Sequence, residues 1–251
     1  MKAASRNGPF SVSLPNSYYF ALIGLAVVLR NSATRLRRSH IGIFHAALGL
    51  GLSTMSVAPV LSKEISLFNG KNLKGWTAFL TDPGKKMEEV WSVKDGVLIC
   101  KGLPMGYIRT EKDFTSFVLT LEWRFDPAKG AGNSGVLMRL QAPDKVWPKS
   151  IEAQLHSENA GDIWNIDEFK IKTAPERTDG RHTTKLHPTN EKPLGEWNKY
   201  EITFDKGILT LKVNGLVQNV ATDCEILPGK IALQSEGAEI HFRNIKIREL
   251  K

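Results

Sequence analysis

FVLTLEWRF, residues 117–125, alternates apolar and polar side chains over its whole length. Phe117, Leu119, Leu121, Trp123 and Phe125 share one face; Val118, Thr120, Glu122 and Arg124 share the other. A period of two is that of a strand with one face on a core, because successive Cβ atoms point to opposite sides of the sheet. The same alternation recurs on either side. Upstream, Trp76–Leu80 reads as a strand, and WSVKDGVLI (91–99) reads as a hairpin because Asp-Gly between apolar runs suits a tight primed turn. Residues 107–110 make another short strand. Downstream come 135–140, 151–155, 200–204, 208–213, the Asn214-Gly215 turn, 216–220, 231–234 and 239–248. No stretch keeps a helical period over three turns, and no internal repeat is visible. Many short strands joined by hairpin turns over about 190 residues predict an all-β fold, an antiparallel two-sheet jelly-roll sandwich. Leu119, Leu121, Trp123, Val136, Met138, Ile151 and Leu155 are expected to face its core, with Trp91 and Trp197 also inside.

The charge is unevenly spread. The 251 residues carry 34 Lys and Arg against 26 Asp and Glu, a formal net charge of +8. Residues 1–58 hold six of the cations (Lys2, Arg6, Arg30, Arg35, Arg37, Arg38) and no acid, leaving only +2 for the rest. No basic patch with interleaved aromatics exists there, so a nucleic-acid partner is not expected. The cationic segment has two apolar runs, 18–29 and 41–52. Neither reaches the roughly 20 residues that span a bilayer. The second follows Arg35-Leu36-Arg37-Arg38 and precedes Ser56-Val57-Ala58, the order of a secretory signal. Residues 1–58 are therefore read as a signal peptide, a start of translation near Val28 being left open, and residues 59–251 as exported to the periplasm or beyond. A signal anchor using both runs is the alternative, and only that would bring the chain to a membrane. Cys100 and Cys224 are the sole cysteines. Cys100 lies in the apolar run Val97–Cys100, so two buried thiols are expected rather than a disulfide.

The stretch GNSGVLMRLQAPDKVWPKSIEAQLH (132–156) carries the candidate chemistry. Ile151, Ala153 and Leu155 alternate with Glu152, Gln154 and His156. A carboxylate, an amide and an imidazole on one strand face can accept, donate and transfer protons. The next forty residues, 157–198, form an unusually long connection between confident strands, and such connections are often functional. They hold Trp164, Asp167, Glu168, Lys170, Lys172, His182 and His187. One reading makes 168–173 a further strand beside a solvated loop; the other has the segment cover a site. Glu152 and His156 could share a divalent metal, but no third ligand has recognisable spacing, so no cofactor is expected. Nucleophile-elbow, P-loop and dinucleotide fingerprints are missing.

Several pieces in order resemble the 3-keto-disaccharide hydrolase domain family: LFNGKNLKGW (67–76), WSVKDGVL (91–98), GNSGVLMR (132–139), IEAQLH (151–156), GEWNKYEI (195–202) and the ending FRNIKIREL. The resemblance covers residues 64–251 and implies a concanavalin-like jelly roll, a carbohydrate or glycoside substrate and hydrolase activity. Where the family has an acid, this chain has His156. Glu152-x-Gln154-x-His156 is also similar to the Glu-x-Asp-x-Glu strand of retaining β-glucanases. Only one carboxylate survives here, whereas a retaining double displacement needs two, about 5–5.5 Å apart.

A 3-keto sugar opens another route. The ketone acidifies the proton on C2, a base removes it, and the enolate expels the C1 oxygen before water adds. Such a sequence needs a base, a group to hold the enolate oxygen and a proton donor for the leaving group. Glu152 or His156 is the candidate base or acid, and Arg139 or Arg124 the enolate holder. Gln154, Asn133 and Glu122 are candidates for binding hydroxyls, Trp164 for stacking on a sugar face, and Lys170 for a further contact. Glu122 and Arg124 can also be a plain surface pair, which contributes little. The alternative function is a non-catalytic, lectin-like carbohydrate-binding domain. Such a module has no use for an aligned Glu and His, so the pattern favours an enzyme.

Overall fold

A computed structural model describes residues 62–251; the segment read as a signal or anchor lies outside them. Two eight-stranded sheets make up the domain. The first is centred on β6 (Phe117–Phe125), whose side chains alternate between buried and half-buried without a break. On one side β6 pairs with β12 (Asn198–Asp205), followed by β13 (Ile208–Val213) and β14 (Leu216–Ala221). On the other it pairs with β16 (Ile240–Glu249), followed by β4 (Val97–Cys100) and β3 (Trp91–Lys94), while β1 (Ile65–Ser66) extends the far half of β16. The second sheet runs β10 (Thr178–Asp179), β11 (His182–Thr183), β9 (Ile163–Ile166), β8 (Ser150–Gln154), β7 (Gly135–Leu140), β15 (Lys230–Ser235), β5 (Gly106–Thr110), β2 (Trp76–Leu80). All pairings are antiparallel. Among the described residues, helical structure amounts to one turn, α1 (Met87–Val90), and a 3-10 turn at Pro175–Arg177. Among the described residues no helix is long and apolar enough to cross a membrane.

The hairpins form where the dipeptides foretell them. Asp95-Gly96 and Asn214-Gly215 take positive φ at both positions, 50° and 77° in the first and 47° and 87° in the second. These angles define a primed turn, whose twist matches that of the strands it joins. The seven residues expected in the core are all there, every one at 1% exposure or less. Burying a side chain of this size stabilises the fold by about 1.5–3 kcal/mol. Trp91 joins them. Trp197 does not: it is half-buried on the outer face of the first sheet, between the guanidinium groups of Arg124 (4.6 Å) and Arg243 (4.0 Å).

The second sheet is covered on both faces. Every residue of β7 and β8 is buried, because Tyr107, Leu137, Leu140, Ile166 and Ala232 form a smaller apolar cluster on the side away from the main core. The alternation of β7 breaks at Arg139, where φ is +52° and the register with β15 slips between Lys230 and Ala232. This is a β-bulge, two residues opposite one, which reverses the facing of the residues after it. Leu140 thus rejoins Leu137 on the outer side, and Arg139 turns inward.

The long 157–198 connection is built rather than structureless. It supplies β9, the 3-10 turn and the β10–β11 hairpin, which extend the second sheet at its edge. The expected strand at 168–173 is not formed. β9 lies earlier, at Ile163–Ile166, and positive φ at Asp167 (56°) and Glu168 (53°) ends it; only an isolated bridge from Lys172 to Thr222 remains of the rest.

Candidate functional site

Strand pairing on the second sheet sets outer-face side chains in rows. One row runs Arg109, Ala232, Leu137, Glu152, Trp164, His182 across six strands. In the next, Gln154 pairs with Gly135. Gly135 forms a floor: a Cβ there would collide with Gln234 Oε1 and Glu152 Oε1. Beside the Glu152 side chain lies a cavity of about 170 Å³. Glu152, Gln154, Asn133, Arg181 and Glu236 provide its polar lining, and Trp147, Trp164 and Ile166 its apolar lining.

The cavity gathers unpaired polar atoms. Asn133 Oδ1 and Trp164 Nε1 from its lining are buried without a hydrogen-bond partner, while the Glu152 carboxyl and the Gln234 amide lie side by side over Gly135. Buried polar groups are paired in the great majority of cases, so such a concentration marks a place prepared for something else to bind. Gln154 is held differently. Its Oε1 accepts the backbone N–H groups of Leu155 and His156, both at 2.9 Å, which fixes the amide and leaves Nε2 to donate.

Two carboxyl groups meet here, and both resist ionisation. Burial raises the Glu152 carboxyl well above its ordinary value; the charge of Glu236 pushes it the same way, while Arg181 and Gln234 pull partly back. Burial likewise lifts Glu236, to about 7, against the pull of Arg181. Arg181 is the cation of the site and lies 5.2 Å from the Trp164 ring centre. Trp164 also stacks on His182 at 4.4 Å. His182 Nε2 in turn meets Asp162 Oδ2 at 2.8 Å, and Asp162 Oδ1 accepts the Lys185 backbone N–H at 2.9 Å. A buried carboxylate therefore orients the ring against which Trp164 packs.

Of the residues singled out in the sequence, the fold brings Glu152, Gln154, Asn133 and Trp164 together. The other five lie elsewhere. Arg139 is fully buried; its guanidinium sits 3.5 Å from the centre of the Phe204 ring and donates to the carbonyls of Thr115 and Glu225. The β7 bulge turned it into the core, so it cannot hold an enolate at this cavity. Glu122 and Arg124 belong to the other sheet. Burial would raise the Glu122 carboxyl, but hydrogen bonds from Arg243 (2.6 Å) and Asn244 (3.1 Å) hold it below its ordinary value. His156 falls just beyond the end of β8, is exposed, and hydrogen-bonds Asn159 at 2.8 Å. Lys170 is exposed beside Lys206 and Cys224. Sequence reasoning missed Arg181, Glu236, Trp147 and Gln234, since each comes from a segment whose local pattern is ordinary.

Glu152, buried, and His156, exposed, are not brought together as a metal pair. Among the described residues one trio has its ligand atoms close enough for an ion: Asp126, Glu239 and His241. Its chemistry fits poorly. Arg124 Nε approaches His241 Nδ1 at 3.4 Å, so Nδ1 accepts and Nε2 carries the proton toward Glu239 at 3.0 Å. A metal on Nε2 would force that proton onto Nδ1, facing a guanidinium.

The domain is a jelly-roll sandwich with acids, amides, a cation and indoles around one hollow, and its family and relative are those of a glycosyl hydrolase-like, carbohydrate-active domain. The model of the 3-keto-alpha-glucoside-1,2-lyase-like domain family matches residues 63–248, and the chain belongs to that family. A 3-keto-disaccharide hydrolase of Bacteroides thetaiotaomicron is 25% identical over 233 aligned residues, which cover 74% of this chain and 78% of that protein. Among solved structures, a Parabacteroides distasonis protein provisionally described as a glycosyl hydrolase is 23% identical with a TM-score of 0.56, over 75% of this chain and 94% of that one. A Bacillus licheniformis β-glucanase is 12% identical with a TM-score of 0.52, over 77% and 100%. These two structures establish the fold.

Proposed function

We propose that this domain hydrolyses a 3-keto-glycoside by elimination and hydration in the cavity lined by Glu152 and Glu236. The observation that carries the reading is the meeting of two carboxyl groups of raised pKa with a cation and a set of unpaired buried polar atoms. Glu236, titrating at about 7, is a base that is ionised in useful amount near neutral pH, the condition for efficient proton abstraction. It takes the C2 proton of the sugar. Arg181 stabilises the negative charge that develops on the ketone oxygen, a preorganised cation acting where charge appears. Glu152, kept protonated by burial, gives its proton to the departing C1 oxygen as that bond breaks. The unsaturated ketone then takes up water. Glu152, now ionised, accepts a proton from the water adding at C1, and Glu236, whose proton has meanwhile exchanged with solvent, protonates C2. Both acids end as they began, and the net change is hydrolysis. Asn133, Gln154 and Gln234 hold hydroxyl groups.

The test compares a 3-keto-glycoside with its unoxidised parent in D2O. Turnover of the ketone alone, with deuterium gained at C2 of the product, is the expected result. Equal cleavage of the parent, or a product without deuterium at C2, overturns the mechanism. Sugar affinity with no turnover of either compound is the signature of a lectin-like domain. The acid-free, six-cation segment at 1–58 supports a reading in which residues 59–251 are exported and act outside the cytoplasm.

A further inference from the structure

The connection between β7 and β8 carries Trp147, which lines the cavity yet keeps 37% of its surface exposed. It is anchored on both sides. Asp144 accepts Arg109 Nε at 2.8 Å, Arg109 Nη2 at 2.7 Å and Tyr107 Oη at 2.9 Å, which ties it to β5. Lys145 meets Asp167 at 2.8 Å, at the end of β9, and the Gln141 N–H donates to the Lys149 carbonyl at 2.9 Å, closing the base. A bidentate arginine–carboxylate pair fixes direction as well as distance. The chain thus spends several polar contacts on holding an indole that remains in water. An indole is a large apolar surface with a single polar handle, suited to lying against a ligand at the edge of a site.

Trp164, the other indole of the cavity, is differently employed, since it packs on His182 and beneath Arg181. Trp147 is the more open aromatic surface. The cavity itself, about 170 Å³, is smaller than the roughly 300–1,000 Å³ of sites for drug-sized ligands. It suits one sugar ring, and the polar lining matches the ring whose hydroxyls must be read. Whatever is joined to C1 of that ring has to leave across the rim.

We propose that Trp147 forms a leaving-group subsite, an aromatic platform that takes the planar or apolar face of an aryl aglycone or a second sugar ring. This rests on the elimination reading above and deepens it by naming the substrate class: glycosides whose leaving group is a ring rather than a small alkyl group. Asp144 is a positioning residue acting through Trp147.

The experiment uses Glu236→Gln, which lacks the base that starts the reaction, as a trap, titrated by calorimetry with methyl and phenyl 3-keto-α-glucosides, with and without Trp147→Ala. One aromatic contact should make the phenyl compound bind about two- to ten-fold more tightly in the trap. That preference, taken as the phenyl-to-methyl affinity ratio within each variant, should vanish with Trp147→Ala and largely persist with Trp147→Phe. Asp144→Asn should weaken phenyl binding and leave methyl binding alone. A phenyl preference equal in the presence and absence of Trp147, or no preference in the trap at all, overturns the subsite. Wild-type turnover of the same compounds is scored separately. If turnover fails while the Trp147-dependent preference remains, the elimination mechanism falls and the platform stands.

Discussion

Glu152 sits on a strand between Leu137 and Trp164, with a floor made by a glycine beside it. This environment explains its chemistry, because a carboxylate without water or a paired cation is costly and the group responds by keeping its proton. Since the folded protein binds that proton more tightly than the unfolded chain, stability from this group is full below the ordinary value of 4.5 and is lost as pH rises through the raised value. Glu152→Gln should therefore melt at the same temperature as wild type at pH 4 and at a higher one at pH 8. Its turnover should fall by about 10²–10⁴-fold, the usual contribution of an acid–base group. Thermal melts at the two pH values, with a rate assay beside them, check both parts. Glu236 answers in the pH profile. As the base it must be ionised, so kcat/KM should rise through about pH 7. Glu236→Gln should lose that limb along with most of the rate.

β7 is the element that decides what the cavity contains. Its first residue, Gly135, leaves room for the oxygens of Glu152 and Gln234, so Gly135→Ala should abolish sugar binding measured by calorimetry while far-ultraviolet circular dichroism still reports a β-sandwich. Its fifth residue, Arg139, does a structural job. Truncation to Ala would leave the carbonyls of Thr115 and Glu225 without their donor and open a space over Phe204. A buried large-to-small change of this kind costs about 3–5 kcal/mol. Arg139→Ala should show that loss in urea unfolding, with kcat per folded molecule unchanged; an enolate-holding role would instead cut kcat at constant stability. The strand's own residues foretell neither outcome, because strict alternation puts Arg139 beside Leu137. The bulge that turns it inward arises in pairing with β15, nearly a hundred residues away in the chain.

The whole molecule keeps Cys100 and Cys224 as separate buried thiols, each pushed by burial to a pKa of about 11. Thiols of this kind are inert until exposed. A thiol reagent should find two groups per chain in guanidinium chloride and almost none in the folded protein, even after export to an oxidising compartment. Export itself is checked by fractionation, with the domain expected in the periplasm or medium, shortened to begin near residue 59. Full-length chain in the cytoplasm would overturn it, and full-length chain in the membrane would favour the anchor.

What the sequence determined by itself is what short-range physics controls. Alternation sorted Phe117–Phe125 into a core face and a polar face, because that depends only on the pleat of one strand. Asp95-Gly96 and Asn214-Gly215 specified their hairpins, because positive φ at two successive residues is a local demand. Asn133, Glu152, Gln154 and Trp164 were legible as neighbours because they lie on or beside three strands that follow one another in the chain and pair side by side. The tertiary structure alone decided which sheet a polar face belongs to, and so separated Glu122 and Arg124 from Glu152 although all three stand on alternating strands. It also ended β8 at Gln154, which left His156 in solvent, and it brought Arg181 and Glu236 from distant segments to the same hollow. The physical reason is that neighbours across a sheet are set by strand order and register, and these follow from burying two whole faces at once, a long-range condition that no local pattern encodes.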